Sequence, residues 1–196
     1  MVITTSMDGE NTFRQSRERK FPLCARALKA AEAGHLWSWH IIGDIYWNGR
    51  AVECNLPYAL ECYKKTASYG NDSYACRQLG RLYFNGWGTA VDYAQAVQWL
   101  ERDKEPEGFK YDLLGICYLL GRGCQQNPAR GKAFLEKSQD SPYKSYGLGM
   151  MYAEGIGVRE NIEKGVGYLK AAGNYEPAIE ALKHYKKSLF GVWRRK

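Results

Sequence analysis

The chain has 196 residues and a formal net charge of +7 at neutral pH. Hydrophobic residues make up 45% and charged residues 25% of it, proportions that are ordinary for a folded globular protein and exclude a disordered chain. No apolar run reaches the roughly 20 residues that a membrane-spanning helix needs. Much of the positive charge lies at the C-terminal end, where residues 183–196 carry six basic and no acidic side chains.

The N-terminal region separates into a polar segment and a helix. Residues 1–20 are polar and include four basic side chains, so we expect a loose segment. They hold no apolar stretch of signal-peptide length, and we therefore expect a cytoplasmic protein. Residues 21–33 predict one amphipathic helix, because Leu28 to Ala31 repeats the Leu-Lys-Ala-Ala pattern found later at Leu169 to Ala172.

A four-fold repeat fills the middle of the chain. In each unit a glycine that follows Leu or Ile comes three residues before a tyrosine and six before a second glycine. The units are 37, 35 and 34 residues apart, a period typical of stacked helical hairpins. The repeated triplets are Gly43, Tyr46 and Gly49; Gly80, Tyr83 and Gly86; Gly115, Tyr118 and Gly121; and Gly149, Tyr152 and Gly155.

Each unit also contains the signals of a second helix. Twelve residues after the first glycine stands Asn or Asp, types that accept a hydrogen bond from a free N–H at a helix start. Small residues follow at sixteen, and large apolar residues at nineteen and twenty, which predicts one buried stripe. The predicted N-caps are Asn55, Asp92, Asn127 and Asn161, and the residues at twenty are Tyr63, Leu100, Leu135 and Leu169.

The C-terminal region predicts one last helix from Pro177 to about Leu189, followed by a basic tail over residues 191–196. We therefore predict an all-α fold: a single α-solenoid over residues 21–190, wound as a right-handed superhelix of stacked helical hairpins. It has about four full repeats plus capping helices, about ten helices in all, and no strands.

The repeat resembles that of the Sel1-like repeat (SLR) family, which is related to tetratricopeptide repeats. The likeness is good from Ala75 to Leu100 and from Leu148 to Ala172; in the first unit Ala51 replaces the second turn glycine. The resemblance implies a scaffold or adaptor rather than an enzyme, and a bacterial protein. One secreted, cysteine-rich branch of the family joins its hairpins with disulfides, but here Ala67 takes the place of the partner of Cys76.

Several patterns imitate catalytic or metal sites. The Gly-x-Gly turns follow predicted helices, whereas a dinucleotide-binding loop follows a strand. Six cysteines and three histidines show no CxxC pair and no spacing that suits zinc. We therefore predict no catalytic residue, no metal site and no cofactor.

The variable face of the first helices is the predicted binding site. An aromatic residue stands six positions before each Leu-Gly or Ile-Gly glycine, and the positions one and four after that glycine lie on the same helical face. If the arrangement is like that of tetratricopeptide repeats, this face lines a concave groove, where aromatics and Arg suit a protein partner. The aromatic residues six positions before the glycine could instead pack between neighbouring hairpins. The candidate residues are Trp37, Asp44, Trp47, Tyr74, Arg77, Arg81, Phe84, Phe109 and Tyr143.

Three hypotheses about function remain open. The first is a non-catalytic module that binds a protein partner in its groove as a general adaptor. The second, within the same class, is an immunity or inhibitor protein that sequesters a toxin with an acidic surface patch. The third is a β-lactamase-like hydrolase, as suggested for the cysteine-rich branch. A nucleic-acid binder is a minor alternative, because no basic stripe interleaves with the aromatics. We expect a monomer that does not bind membranes.

Overall fold

The computed structural model describes residues 22–35, 37–49, 52–68, 70, 72–106, 108–188 and 191–196. The predicted loose segment at residues 1–20, and Ala51, lie outside the described residues. Ten helices and two short strands lie within them. The helices are α1 Pro22–Glu32, α2 Trp37–Asn48, α3 Leu56–Ser68, α4 Ser73–Asn85, α5 Tyr93–Arg102, α6 Lys110–Leu120, α7 Pro128–Lys137, α8 Pro142–Ala153, α9 Ile162–Ala171 and α10 Glu176–Leu182; the strands are β1 Tyr185–Lys187 and β2 Trp193–Arg195.

The two helices of each hairpin approach each other at the glycine of the first helix. A Cβ atom built on Gly80 would lie 2.4 Å from Leu100 Cγ, too close for any real contact. In each of the other three units, a Cβ atom built on the glycine would lie within 2.8 Å of the buried side chain twenty residues later. These pairs are Gly43 with Tyr63, Gly115 with Leu135, and Gly149 with Leu169. The predicted buried stripe is confirmed, and it packs directly onto glycine.

The connection inside each hairpin repeats the same hydrogen bonds. The backbone N–H of Asp92 donates to Tyr83 O at 2.9 Å, and the Asp92 carboxylate accepts from Gln95 N. Both bonds recur in the other three units, so the predicted N-caps are confirmed. The capping residues there are Asn55, Asn127 and Asn161.

A second glycine sets how consecutive hairpins stack. Gly123 has φ +71°, and a Cβ atom on it would lie 2.2 Å from Tyr93 C, at the start of the second helix of the preceding hairpin. Gly88 and Gly157 meet the starts of α3 and α7 in the same way. The close backbone approach therefore fixes one hairpin on the next. Helix α6 accordingly packs against both α4 and α8, its equivalents in the neighbouring units.

The C-terminal end differs from the prediction. The last helix stops at Leu182, and strands β1 and β2 pair antiparallel with Tyr185 opposite Arg195. Gly191, at φ +79°, lies in the turn between them. The prediction of a helix that continues to Leu189 is wrong. Tyr185 is only 5% exposed because it packs into the core, where its hydroxyl donates a hydrogen bond to the Glu154 carboxylate.

Residues 191–196 are likewise more than a basic tail. Strand β2 packs against α9, and Arg195 Nη2 lies 2.7 Å from Glu154 and 3.4 Å from Glu160. Lys170 lies over the ring of Trp193, with its Nζ 4.4 Å from the ring centroid. The hairpin thus covers the end of the last repeat, where no further unit is present among the described residues.

Replacing Gly80 with alanine tests the packing inside a hairpin. The new methyl group would collide with Leu100, and such overpacking costs about 1–3 kcal/mol. Gly167 lies exposed in α9 with nothing within 4 Å of a built Cβ atom, so Gly167→Ala should raise stability by about 0.5–1 kcal/mol through helix propensity alone. Urea unfolding of both variants measures the difference. Equal effects of the two substitutions would refute the close-packing role of Gly80.

Replacing Gly123 with alanine tests the stacking between hairpins. Gly123→Ala and Gly173→Ala both place a side chain at positive φ, which costs about 1–2 kcal/mol. Only Gly123 also faces the backbone of the neighbouring hairpin, since nothing lies within 4 Å at Gly173. We expect the thermal melting temperature to fall clearly further for Gly123→Ala. A fall of the same size in both variants would show that the stacking contact is dispensable.

Candidate protein-binding surface

Exposed aromatic side chains are concentrated on α2 and the start of α4. Trp37 is 69% exposed and Tyr74 37%, and the ring of His40 lies between them, with centroids 5.4 and 5.3 Å away. Ile41, at 38%, is also exposed on α2. We call Trp37, His40, Ile41, Asp44 and Tyr74 the aromatic surface. It holds three of the five exposed large hydrophobic side chains among the described residues.

Asp44 is held at the edge of the aromatic surface by two phenols. Its Oδ1 accepts hydrogen bonds from Tyr63 at 2.6 Å and from Tyr74 at 2.8 Å. Burial, together with the bond to Asp44, raises the pKa of Tyr63 and raises that of Tyr74 to about 12. Both hydroxyls therefore stay protonated at neutral pH and act as donors. Tyr63 is the residue that packs on Gly43, so the core of the first hairpin positions this carboxylate.

A second group of side chains surrounds Arg81. Its guanidinium carbon lies 5.2, 5.1 and 5.2 Å from the ring centroids of Trp47, Trp87 and Phe109. We call these four residues the Arg81 cluster. Trp47 and Trp87 also meet edge to face at 5.6 Å. The aromatic faces carry negative potential and hold the cation in place.

Trp87 is the member of this cluster that the sequence prediction missed. It stands between the two turn glycines Gly86 and Gly88, positions interpreted only as a helical turn. The repeat itself could have pointed to this residue. Arg122 occupies the same position in the next unit, and its guanidinium lies over the rings of Tyr93 and Tyr146. The side chain between the turn glycines can therefore pack beside the first helices.

Arg77 is engaged inside the protein. Its Nε donates to Asp103 Oδ2 at 2.8 Å, and Lys110 Nζ lies 3.6 Å from the same oxygen. Asp103 is 5% exposed, and its side chain is fully buried. Two cations thus neutralise one buried carboxylate and tie the α5–α6 connection to α4. The side chain of Arg77, which was predicted to meet a partner, is 19% exposed and makes this internal contact.

Phe84 and Tyr143 lie below the predicted surface. Phe84 is only 3% exposed and contacts the rings of Tyr93 and Tyr143 edge to face. The Tyr143 hydroxyl donates to Asn85 at 3.2 Å, and its ring lies 4.8 Å from that of Tyr175. These contacts join α4, α8 and α10. Phe84 therefore supports the first helices from the core.

The four aromatics six positions before the repeat glycine follow both alternatives that the sequence left open. Trp37 and Tyr74 are exposed, as a binding surface requires. Phe109 and Tyr143 are half-buried and pack against neighbouring units, Phe109 beneath Arg81. The candidate set thus divides into an open part at the first two hairpins and a packed part beyond them.

Burial raises the thiol pKa of four of the described cysteines. Burial raises the pKa of Cys62 and of Cys117 to about 12, so both thiols are protonated at neutral pH. None of the six cysteines, all of which lie in the described part of the chain, forms a disulfide. Within the described ranges, no group of three His, Cys, Asp or Glu side chains is arranged to hold a metal ion. None of the helices described is long and apolar enough to cross a bilayer.

Stacked hairpins with variable side chains on their first helices define a helical-repeat solenoid. A family model described as Sel1 repeat matches residues 40–71, 73–102, 112–138 and 145–174, more than half of the chain, and the chain therefore belongs to the Sel1 repeat family. Proteins of this family are typically protein–protein interaction modules. The resemblance stated from the sequence is confirmed.

Two solved structures show the same fold. A Sel1 repeat protein from Oxalobacter formigenes is 26% identical, with a TM-score of 0.55, over 93% of this chain and 79% of that one. A protective antigen of uropathogenic Escherichia coli strains with an SLR fold is 25% identical, with a TM-score of 0.56, over 79% of this chain. The match spans 34% of the antigen's own length.

Arg81→Met tests whether the Arg81 cluster stabilises the free protein. Methionine keeps much of the side-chain length and removes the charge, so we expect a loss of about 1–2 kcal/mol in the free energy of unfolding. Arg159→Met, at an exposed arginine with no described ring or ion-pair partner, is the control and should change little. A double-mutant cycle with Trp87→Leu isolates the cation–ring contact. Strictly additive effects of the two substitutions on the free energy of unfolding would contradict a stabilising contact between Arg81 and Trp87.

Proposed function

We propose that this chain is a non-catalytic module that binds a protein partner against the aromatic surface and the Arg81 cluster. The observation that carries the proposal is the exposure of Trp37 and Tyr74 beside a hydrogen-bonded carboxylate. Large aromatic side chains and Arg are the residue types that contribute most to binding energy at protein interfaces. A single exposed ring on a surface is ordinary, but adjacent exposed rings favour an interaction site.

The two groups are joined by a chain of rings. The ring of Tyr63 lies 6.5 Å from Trp47 and 6.4 Å from Tyr74. Trp37 reaches Tyr74 through His40, and Trp47 reaches Phe109 through Arg81. Because Tyr63 is only 1% exposed, it connects the two groups from within the core, and the groups themselves lie along the first helices from α2 to the start of α6.

The surface is already ordered before any partner arrives. Tyr74 is fixed by its bond to Asp44, and Arg81 by three rings. Binding side chains that are already held avoids about 0.5–1.5 kcal/mol of ordering cost for each one. A rigid stack of this kind is suited to covering part of a partner and blocking what that part would otherwise contact.

The finer proposal is that the partner is a toxin and that this chain is a cytosolic, monomeric immunity or inhibitor protein. Blocking by a preformed surface is the mechanism that such a role requires. An acidic patch on the partner would match the C-terminal hairpin, where exposed Lys186 stands directly opposite exposed Arg194. Like charges opposite each other destabilise a strand pair, and an acidic partner would relieve that repulsion.

Trp37→Ala tests the binding surface. Because the side chain is mostly exposed, we expect an unchanged melting temperature and a loss of partner affinity of tenfold or more. The measurement is affinity purification of the tagged chain from its native lysate, followed by titration of the recovered partner. Val91→Ala, at an exposed apolar residue before α5, is the matched control and should retain the partner.

The outcomes separate the alternatives. One stoichiometric partner lost only with Trp37→Ala supports the binding surface, and toxicity of that partner when expressed alone supports the inhibitor role. A partner that is harmless when expressed alone would support the adaptor role. Retention of the partner by Trp37→Ala, Tyr74→Ala and their double variant would refute the assigned surface.

A further inference from the structure

Asp44 supplies the one carboxylate of the aromatic surface, and no basic side chain in the described ranges pairs with it. Among the described residues, no ion pair involves Asp44. The Asp44 side chain accepts hydrogen bonds from the neutral phenols of Tyr63 and Tyr74, and both bind Oδ1. The second oxygen, Oδ2, accepts no hydrogen bond from the described residues and is not fully buried.

Three other carboxylates, which side-chain hydrogen bonds also hold in place, each have a basic partner. Asp103 has Arg77 and Lys110, Glu101 has Arg130, and Glu154 has Arg195. At these three places the chain supplies a cation to a carboxylate, whereas the buried Asp112, which accepts a hydrogen bond from Ser141, has no ion pair among the described residues. At Asp44 it supplies two tyrosines that fix Oδ1 and leave Oδ2 open to a ligand.

The rings around Asp44 add to its preference for a cation. Tyr74 shares a hydrogen bond with the carboxylate and is 37% exposed, and Trp37 lies across His40 from it. The faces of Trp and Tyr attract ammonium and guanidinium groups, by about 0.5–1 kcal/mol each at exposed sites. An open carboxylate oxygen beside such rings can bind a basic side chain by a charge-assisted hydrogen bond and by ring contact together.

Two basic residues of the first two units, Arg81 and Lys65, have contacts elsewhere. Arg81 holds the place of Asp44 in the next unit, but its guanidinium is surrounded by Trp47, Trp87 and Phe109. Lys65 lies over the ring of Trp39 at 3.8 Å. Neither forms an ion pair with Asp44 in the described part of the chain.

From this arrangement we propose that the aromatic surface binds a basic side chain, Arg or Lys, of the protein partner, with Asp44 Oδ2 as its acceptor and Trp37 and Tyr74 as its flanking rings. The inference rests on the proposed function and makes it more specific. The basic residue would be the anchor at this end of the surface. Any acidic part of the partner would then lie elsewhere, towards the C-terminal hairpin.

A random peptide library displayed against the immobilised full chain tests the proposal. We expect the selected peptides to share an Arg or Lys next to an apolar residue. Synthetic copies in which citrulline replaces Arg, or norleucine replaces Lys, should bind at least tenfold more weakly, because the shape is largely kept and the charge is lost. The same loss should follow from Asp44→Asn, whose amide oxygen can still accept the two phenol hydrogen bonds.

The peptide substitution keeps the test valid even if Asp44→Asn alters the fold, which a thermal melt would detect. Selected peptides without a basic residue, or basic peptides bound equally by Asp44→Asn, would overturn the inference. If such peptides still lose affinity with Trp37→Ala and keep it with Val91→Ala, the proposed function stands and only the basic anchor fails. Peptides insensitive to both Trp37→Ala and Asp44→Asn would refute the binding surface as well.

Discussion

The contact between a first-helix glycine and the large side chain twenty residues later is the constraint on which this structure depends. Because Gly80 has no Cβ atom, Leu100 can press against the backbone of α4, and the two helices of the hairpin come together. Each unit repeats the contact, and Gly88, Gly123 and Gly157 then place the next hairpin on the start of an earlier helix. The absence of a Cβ atom at these glycines thus sets both the distance between the helix axes within a unit and the stacking between units.

The first unit uses this constraint to build the candidate site. Three units place leucine on the glycine, whereas the first places Tyr63 there. The tyrosine ring fills the same space and is 1% exposed, but its hydroxyl reaches Asp44. A core residue therefore organises a surface carboxylate without any flexible connection. The open aromatic surface lies on this unit and the start of the next, while later first helices are covered by α10 and their own neighbours.

The sequence could predict what depends on local chemistry or on periodicity. The N-caps, the buried stripe and the hairpin units follow from residues that act on neighbours a few positions away, and the family resemblance followed from them. The β-hairpin could not be predicted, because Tyr185 and Arg195 both bind Glu154, more than thirty residues earlier. Similarly, the spacing of Arg77 and Arg81 could not show that Asp103 would bind the first, or that three rings, two of them from neighbouring units, would surround the second.

Side-chain oxidation footprinting of the chain, free and bound to the partner that it retains, tests the central claim most directly. The free protein should be modified readily at Trp37, and binding should protect Trp37 and Tyr74 while the exposure of Trp99, on a second helix, stays the same. Such protection would locate the partner on the aromatic surface of the first two hairpins. Unchanged oxidation of Trp37, with protection of the second helices or of the C-terminal hairpin alone, would contradict the account.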